Sequence, residues 1–375
     1  MKLATSTLIF CVAALLSLGM VTLYSSSTAQ VGADFLMKQL VWCALGLVAA
    51  TVAATLDYRH FKKFSIPLLV LAVALLLLVY APHIGIKVNG GRRWIAKWGI
   101  RFQPSELAKI ALIIFIAHYG ERFQRQMNTF WRGLVIPGIF AGLVLSLIFI
   151  EPDRGCTILM AGVCGTMLVI AGVRLKIIIP PVLVGIALLA FSLFHDQMRM
   201  KRIVAWLHPE ETKELAGYQA YQAMIALGSG GWSGLGLGNG RQKLGFVPEH
   251  HTDFIFSIIG EELGLIATIA IVLLFIVFVI CGIFISSRAR DTFGLLLGSG
   301  VTFLIGFQAF INIGVVTSIL PNKGMPLPFI SYGGSNLLVM LLAVGILLSV
   351  ARQGVEVTRR KSNPFDDEIP APQVA

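Results

Sequence analysis

The chain has 375 residues, of which 56% are hydrophobic and only 13% charged, and its mean hydropathy is +0.82. Such a composition excludes a soluble globular domain and makes lipid the solvent for most of the chain. The formal charge of +11 therefore belongs in loops, and any charge inside an apolar run needs a specific reason.

A hydrocarbon core about 30 Å thick needs roughly 20 apolar residues per helix. Ten runs supply them, at 8–24, 36–56, 65–81, 104–119, 133–150, 155–173, 176–194, 254–285, 293–320 and 333–351, which predicts an all-α polytopic membrane protein. The first run follows Lys2 and ends in small residues from Ser25 to Ala29, the pattern of a secretory signal, and is expected to be retained as an anchor. The sixth and seventh are parted only by Arg174 to Lys176, a tight turn. The eighth and ninth exceed one span, so parts of them should bend, tilt or lie in the interface. Residues 1–352 read as one ten-helix membrane domain with a large external loop at 195–252, and 353–375 as a disordered, cytoplasmic tail whose acidic, proline-bearing end, Asn363 to Ala375, suits a binding segment.

Alternate short connections carry Arg59, Lys62 and Lys63, then Arg122, Arg125 and Arg132, then Arg174 and Lys176, then Arg288 and Arg290, and finally Arg352 to Lys361. Placed inside, they put both termini in the cytoplasm. The opposite face concentrates Lys87, Arg92, Arg93, Lys97 and Arg101 in one loop, and Arg199, Lys201, Arg202, Lys213, Arg241 and Lys243 in segment 195–252. Two readings stand for that charge: attraction to anionic head groups, about 1 kcal/mol per cation, or a specific anionic ligand such as a lipid-linked phosphate.

The five cysteines, Cys11, Cys43, Cys156, Cys164 and Cys281, fall within or beside apolar runs without a C-x-x-C pair, so neither a disulfide framework nor a zinc site is expected. The adjacent pair His250 and His251 would diverge on a helix and does not suit a metal. No Walker loop, H-E-x-x-H or G-x-S-x-G is present. The glycine-rich run Gly228 to Gly240 is expected to be a re-entrant or surface loop rather than a nucleotide cradle. No internal repeat is visible to support an inverted-repeat transporter.

Four constellations remain for chemistry. Asn89 to Ile95, NGGRRWI, leads into Gln103 to Lys109, QPSELAK, where Pro104 suits a first helical turn and Glu106 and Lys109 share one face at i, i+3, either as a structural pair or as part of a polar cavity. Glu151, Pro152, Asp153 and Arg154 form a charged turn, a solvated corner or a functional one. In the run from Arg241 to Gly264, Glu249, Asp253, Ser257 and Glu261 would form a stripe on a helix. Asp253 there reads either as a helix cap or as a desolvated general base. Pro321 to Ser335, PNKGMPLPFISYGGS, is too rich in proline and glycine for a helix and is expected to line a cavity, with Lys323 available to an anion.

NGGRRWI, QPSELAK, EPD-x-G, GSGGW-x-G-x-G-L-G, VPEHHTDFIF-x-x-x-GEE-x-G and NKGMPLPFISYGGS stand in the order and spacing of the SEDS family (shape, elongation, division and sporulation), which the chain resembles from Asp57 to Arg352. AYQAMIALGSGGW followed by GNGRQKL is closer to the division branch than to the elongation branch. The resemblance implies ten transmembrane helices with both termini inside. It also implies an inverting glycosyltransferase that polymerises lipid II into glycan strands outside the cytoplasmic (inner) membrane of a bacterium, at the division septum. The implied partners are lipid II, the nascent strand, a class B penicillin-binding protein transpeptidase, other divisome proteins and membrane lipid, with no nucleic acid. Asp253 matches the family's essential aspartate, and Glu106 and Lys109 match its glutamate and lysine in the fourth helix. Arg92, Arg93, Lys243, Lys323 and Ser331 are expected at the substrate, the cations at its pyrophosphate. No cofactor is expected to be tightly bound, although a divalent ion, Mg or Mn, could assist the cations. Glu261 and Glu262 are left as structural acids. The chain departs from the family pattern at Arg154, Cys156 and Asn336. An elongation-type polymerase, a lipid II flippase and a divisome scaffold are the alternatives; a flippase would need more ionisable residues at mid-depth, and a scaffold has no use for Asp253.

Overall fold

In the computed structural model, residues 1–28, 34–81, 84–88, 91–97, 100–208, 210–212, 217–248 and 251–362 are described. Asn89, Lys213, Glu249, His250 and the 363–375 tail, named above, lie outside them.

The elements run in chain order: α1 (Lys2–Thr28), α2 (Asp34–Thr55), α3 (Arg59–Lys63), α4 (Ser65–Leu78), β1 (Gly85–Val88), β2 (Gly91–Lys97), β3 (Ile100–Phe102), α5 (Pro104–Arg122), α6 (Ile136–Ile150), α7 (Arg154–Ile170), α8 (Leu175–Phe194), α9 (Gln197–Leu207), α10 (Tyr218–Ser229), α11 (Ile255–Ser287), α12 (Thr292–Val316) and α13 (Gly334–Ser362). Among the described residues, seven helices are long and apolar enough to cross a membrane: α1, α2, α6 with the turn before it, α8, α11, α12 and α13 up to Gly354. The shorter apolar helices α4 and α7, and α5 with its charged pair, fall on the other three predicted runs. The boundaries have local causes. Pro104 opens α5 at its first turn, Asp153 accepts from Cys156 N to cap α7, and Asp291 accepts from Gly294 N to cap α12.

The core lies where α5, α12 and α13 are wrapped by α2, α7 and α11. Polar contacts mark its two ends. At one, which we call the Asp291 end, Asp291 accepts from Tyr58 Oη at 2.9 Å and from Arg59 Nε at 3.0 Å, Lys62 pairs with Glu121, and Arg352 reaches the carbonyl of Thr55 at 2.7 Å. At the other, the Asp253 end, strands, charged turns and the proline-rich loop converge.

Two features mark this end, a sheet that was not expected and a break in the eighth run, which was expected to bend. The segment before α5 is a three-stranded antiparallel sheet, with Lys87 opposite Arg92 and Ile95 opposite Phe102, so the described residues are helical with one small sheet. The long α11 is broken at Gly264, whose φ of 76° and ψ of −173° leave the helical region. Its portion 265–287 is about 34 Å long, enough to span alone, which resolves the excess length of the eighth run.

Candidate active site at the Asp253 end

The break in α11 frees backbone groups that lipid could not satisfy. The glycine-rich run satisfies them: Leu235 N and Gly236 N donate to the carbonyls of Glu261 and Glu262, at 2.9 and 3.0 Å, while Leu265 N and Ile266 N donate to Gly231 and Trp232, at 2.9 and 3.3 Å. Gly234 sits at φ +79°, with no room for a Cβ beside the Glu262 carbonyl. The run is thus a surface loop laid along a broken helix, not a phosphate cradle.

Around this seam the acids are structural. Glu261 accepts from the amides of Arg241 and Gln242, at 2.8 and 3.3 Å, and Glu262 is fully buried, bonded to Lys243 Nζ at 2.6 Å and to Ser25 Oγ of α1. Lys243 also donates to the carbonyls of Ser25 and Gly238. Expected at a pyrophosphate, Lys243 is instead buried in an ion pair, because the broken helix places a buried carboxylate next to it.

Asp253 stands just outside α11, whose capping position is held by Phe254. The helical stripe anticipated through Asp253, Ser257 and Glu261 therefore begins only after Asp253. Its carboxylate lies against the proline-rich loop: a Cβ on Gly324 would stand 2.5 Å from Oδ2 of Asp253. Lys323 is the next residue. Burial and the nearby charge of Arg154 push the Lys323 ammonium below its ordinary pKa, and Asp153 opposes that shift. Asp253, Lys323, Asp153 and Arg154 are thus brought to one place from separate parts of the sequence.

Arg93 joins them from β2. Its Nε donates to the Glu151 carbonyl and its Nη2 to that of Pro152, both at 2.9 Å, while Nη1 is 3.9 Å from Asp153 Oδ2. Arg92, on the same strand, is exposed. Arg154, one of the departures from the family pattern, bonds Ser192 of α8 through Nη2 and lies over the Phe149 ring. Glu151 is completely buried and neither carboxylate oxygen has a hydrogen-bond partner among the described residues. Burial first, then Asp153, push its pKa up to about 8 against the opposing effect of Arg93.

The proline-rich loop is held in its non-helical course by side-chain amides inside the apolar helices. Asn312 Nδ2 donates to both Met325 O, at 2.6 Å, and Asp253 O, at 2.8 Å, tying the loop to the aspartate's own backbone. Gln308, one turn away on α12, donates to Pro326 O and accepts from Lys109. Lys109 pairs with Glu106 at 2.8 Å, and Asn336 donates to Glu106 at 2.9 Å. From α2, Gln39 donates to Ser331 O and accepts from Gly333 N. Glu106, Lys109 and Ser331 are all buried, the last accepting from Leu327 N at 2.7 Å. These three were expected at the substrate; Ser331 lies within the loop that faces Asp253, and the Glu106–Lys109 pair reaches that loop through Gln308. The bracing amides Gln39, Gln308 and Asn312 were missed, although a single amide in an apolar run is the available signal.

The site lacks a ready-made metal centre: among the described residues no group of three or more His, Cys, Asp or Glu could hold an ion.

Comparison with known proteins agrees with this architecture. The FtsW/RodA/SpoVE model, described as cell cycle protein, matches residues 6–356. A probable peptidoglycan glycosyltransferase FtsW of Geobacter metallireducens is 42% identical over 357 residues, 94% of each chain. A solved peptidoglycan synthase complex, described for its coordination of polymerization and crosslinking, contains a chain that superposes with a TM-score of 0.78 at 26% identity, over 92% of this chain and 97% of that one. The rod shape determining protein RodA of Thermus thermophilus superposes at 0.69 and 27% identity, over 92% and 96%. With a matched model that spans almost every described helix, and the motif-bearing loops gathered at one end, the chain belongs to the FtsW/RodA/SpoVE family of cell cycle proteins.

Proposed function

We propose that this multi-pass membrane protein is a peptidoglycan glycosyltransferase that joins lipid II units into glycan strands during cell division, with Asp253 as its general base. The observation that carries the reading is the Asp253 carboxylate set against Gly324, beside Lys323 and the Asp153–Arg154 turn. The Asp253 end is then the outer face of the bacterial inner membrane, and the Arg59, Lys62 and Arg352 end faces the cytoplasm.

Lipid II presents a disaccharide on undecaprenyl pyrophosphate, so its polymerase needs an apolar surface for the tail and positive charge for the pyrophosphate. Asp253 takes the proton from the 4-hydroxyl of the acceptor N-acetylglucosamine, and that oxygen attacks the anomeric carbon of the donor N-acetylmuramic acid. The bond from that carbon to the pyrophosphate oxygen breaks, undecaprenyl pyrophosphate leaves, and the carbon inverts from α to β. The leaving group is already good, so no second carboxyl is needed to protonate it. Lys323, with Arg92 and Arg93 at the rim, stabilises its charge. A divalent ion would have to draw most of its ligands from the pyrophosphate, and no step here is routed through one. The peptide-crosslinking partner is a class B penicillin-binding protein, supported by the likeness to a chain of a synthase complex that couples both reactions.

The test uses purified protein, lipid II and the cognate transpeptidase, with glycan polymer resolved on a gel. Asp253→Asn should make none. Undiminished polymer from that variant sinks the general-base role, and translocation of lipid II in liposomes without polymer from either form would establish a transporter instead.

A further inference from the structure

We propose that the corner between α3, α4 and α5, at the Asp291 end, binds the phosphate head group of an anionic membrane lipid. This inference is independent of the chemistry at Asp253. A cavity of about 840 Å³ opens there, with Arg59, Lys62, Lys63 and His118 in its wall together with Glu121 and Asp291. Arg59 is held by Asp291 at 3.0 Å and Lys62 by Glu121. Lys63 is exposed and has no carboxylate partner among the described residues. Three cations against two carboxylates leave one positive charge facing the cavity. His118 also lines the cavity, and its buried Nδ1 has no hydrogen-bond partner among the described residues.

The apolar surface beside the cations selects a lipid over a free anion. Ile66 and Pro67 continue the cavity wall onto α4, and Phe64, Ile66 and Val70 are all more than half exposed. A phosphate at Lys63 therefore has an apolar track beneath it, running along the apolar helix α4, where an acyl chain lies. Basic pockets between transmembrane helices are suited to such head groups, and each cation near the surface contributes about 1 kcal/mol, roughly fivefold in affinity.

The experiment measures lipid retained by the full-length protein after detergent purification, by native mass spectrometry, with dioleoylphosphatidylglycerol, dioleoylphosphatidylcholine and inorganic phosphate as probes. Wild type should retain phosphatidylglycerol preferentially. Lys63→Gln should lower that retention about fivefold and Lys63→Glu further, with phosphatidylcholine unchanged and millimolar phosphate unable to displace the lipid. Polymerase activity reports that the variants are folded, and the milder Lys63→Gln suffices should the charge reversal prevent folding. Equal phosphatidylglycerol retention by wild type and Lys63→Gln overturns the proposal. So does displacement of the lipid by inorganic phosphate, which would make the corner a free-anion site.

Discussion

Asp253 and Gly324 are in van der Waals conflict with any side chain larger than hydrogen at 324, so that glycine sets where the carboxylate can be. Gly324→Ala must push Oδ2 away or lift the loop. We expect at least a tenfold loss of polymer, because an ångström of misplacement costs about a hundredfold in reactions that depend on positioning. Gly333→Ala, whose Cβ would be 3.7 Å from its nearest neighbour, should leave the rate within about twofold and serves as the control. Equal rates for the two variants would remove Gly324 from the site. At Glu151 the prediction concerns pH. Its folded pKa is raised from the ordinary 4.5 to about 8, so the folded protein holds a proton that the unfolded chain releases. Stability from this group is complete below the unfolded value, declines as pH rises, and is lost above about 8. Glu151→Gln should thus match wild type in Tm near pH 4.5, exceed it increasingly up to about pH 8, and hold a constant lead beyond. Parallel Tm curves for the two proteins would show that Glu151 is ionised in the fold. Asp253 itself was legible in the sequence only as a cap or a base. The structure gives the capping position to Phe254 and sets a loop some seventy residues away against the carboxylate, an approach that no local pattern encodes.

Among the elements, α11 and its glycine-rich cover behave as a unit. The ion pair of Lys243 with Glu262 closes the seam, and breaking a buried pair from one side costs about 3–5 kcal/mol. Lys243→Met should therefore lower Tm by several degrees, while Lys243→Met with Glu262→Met should recover much of the loss, since no uncompensated charge remains. Additive losses, read from thermal unfolding in detergent, would mean that the pair contributes no coupling. The helices were legible because bilayer thickness turns apolar length into a count. The sheet at 85–102 was not, since its short strands carry Lys87, Arg92 and Arg93 with little alternation. Nor was the position of the break in the eighth run, because Gly264 is required by the cover folded against it rather than by its own neighbours.

At the scale of the whole molecule, the two polar ends give the protein a direction. Substituted-cysteine labelling in intact cells should modify Ser233→Cys with a membrane-impermeant maleimide, while His60→Cys should react only after permeabilisation. Four of the five native cysteines, Cys11, Cys156, Cys164 and Cys281, are buried and should stay silent, and the half-buried Cys43 is replaced by serine in both variants. Labelling of both positions from outside would overturn the assigned orientation. The positive-inside pattern is the ground for this orientation; of the cations expected to meet substrate, Lys243 is buried in an ion pair with Glu262. The loop facing Asp253 is braced by amides from α2 and α12 and, through Glu106 and Asn336, by the first turns of α5 and α13. During synthesis, the ribosome must therefore release the chain past the start of α13 before the proline-rich loop can be braced against the aspartate. Truncated or stalled products carry every charged group up to their last residue and still have no assembled site, so polymerisation begins only with a finished molecule.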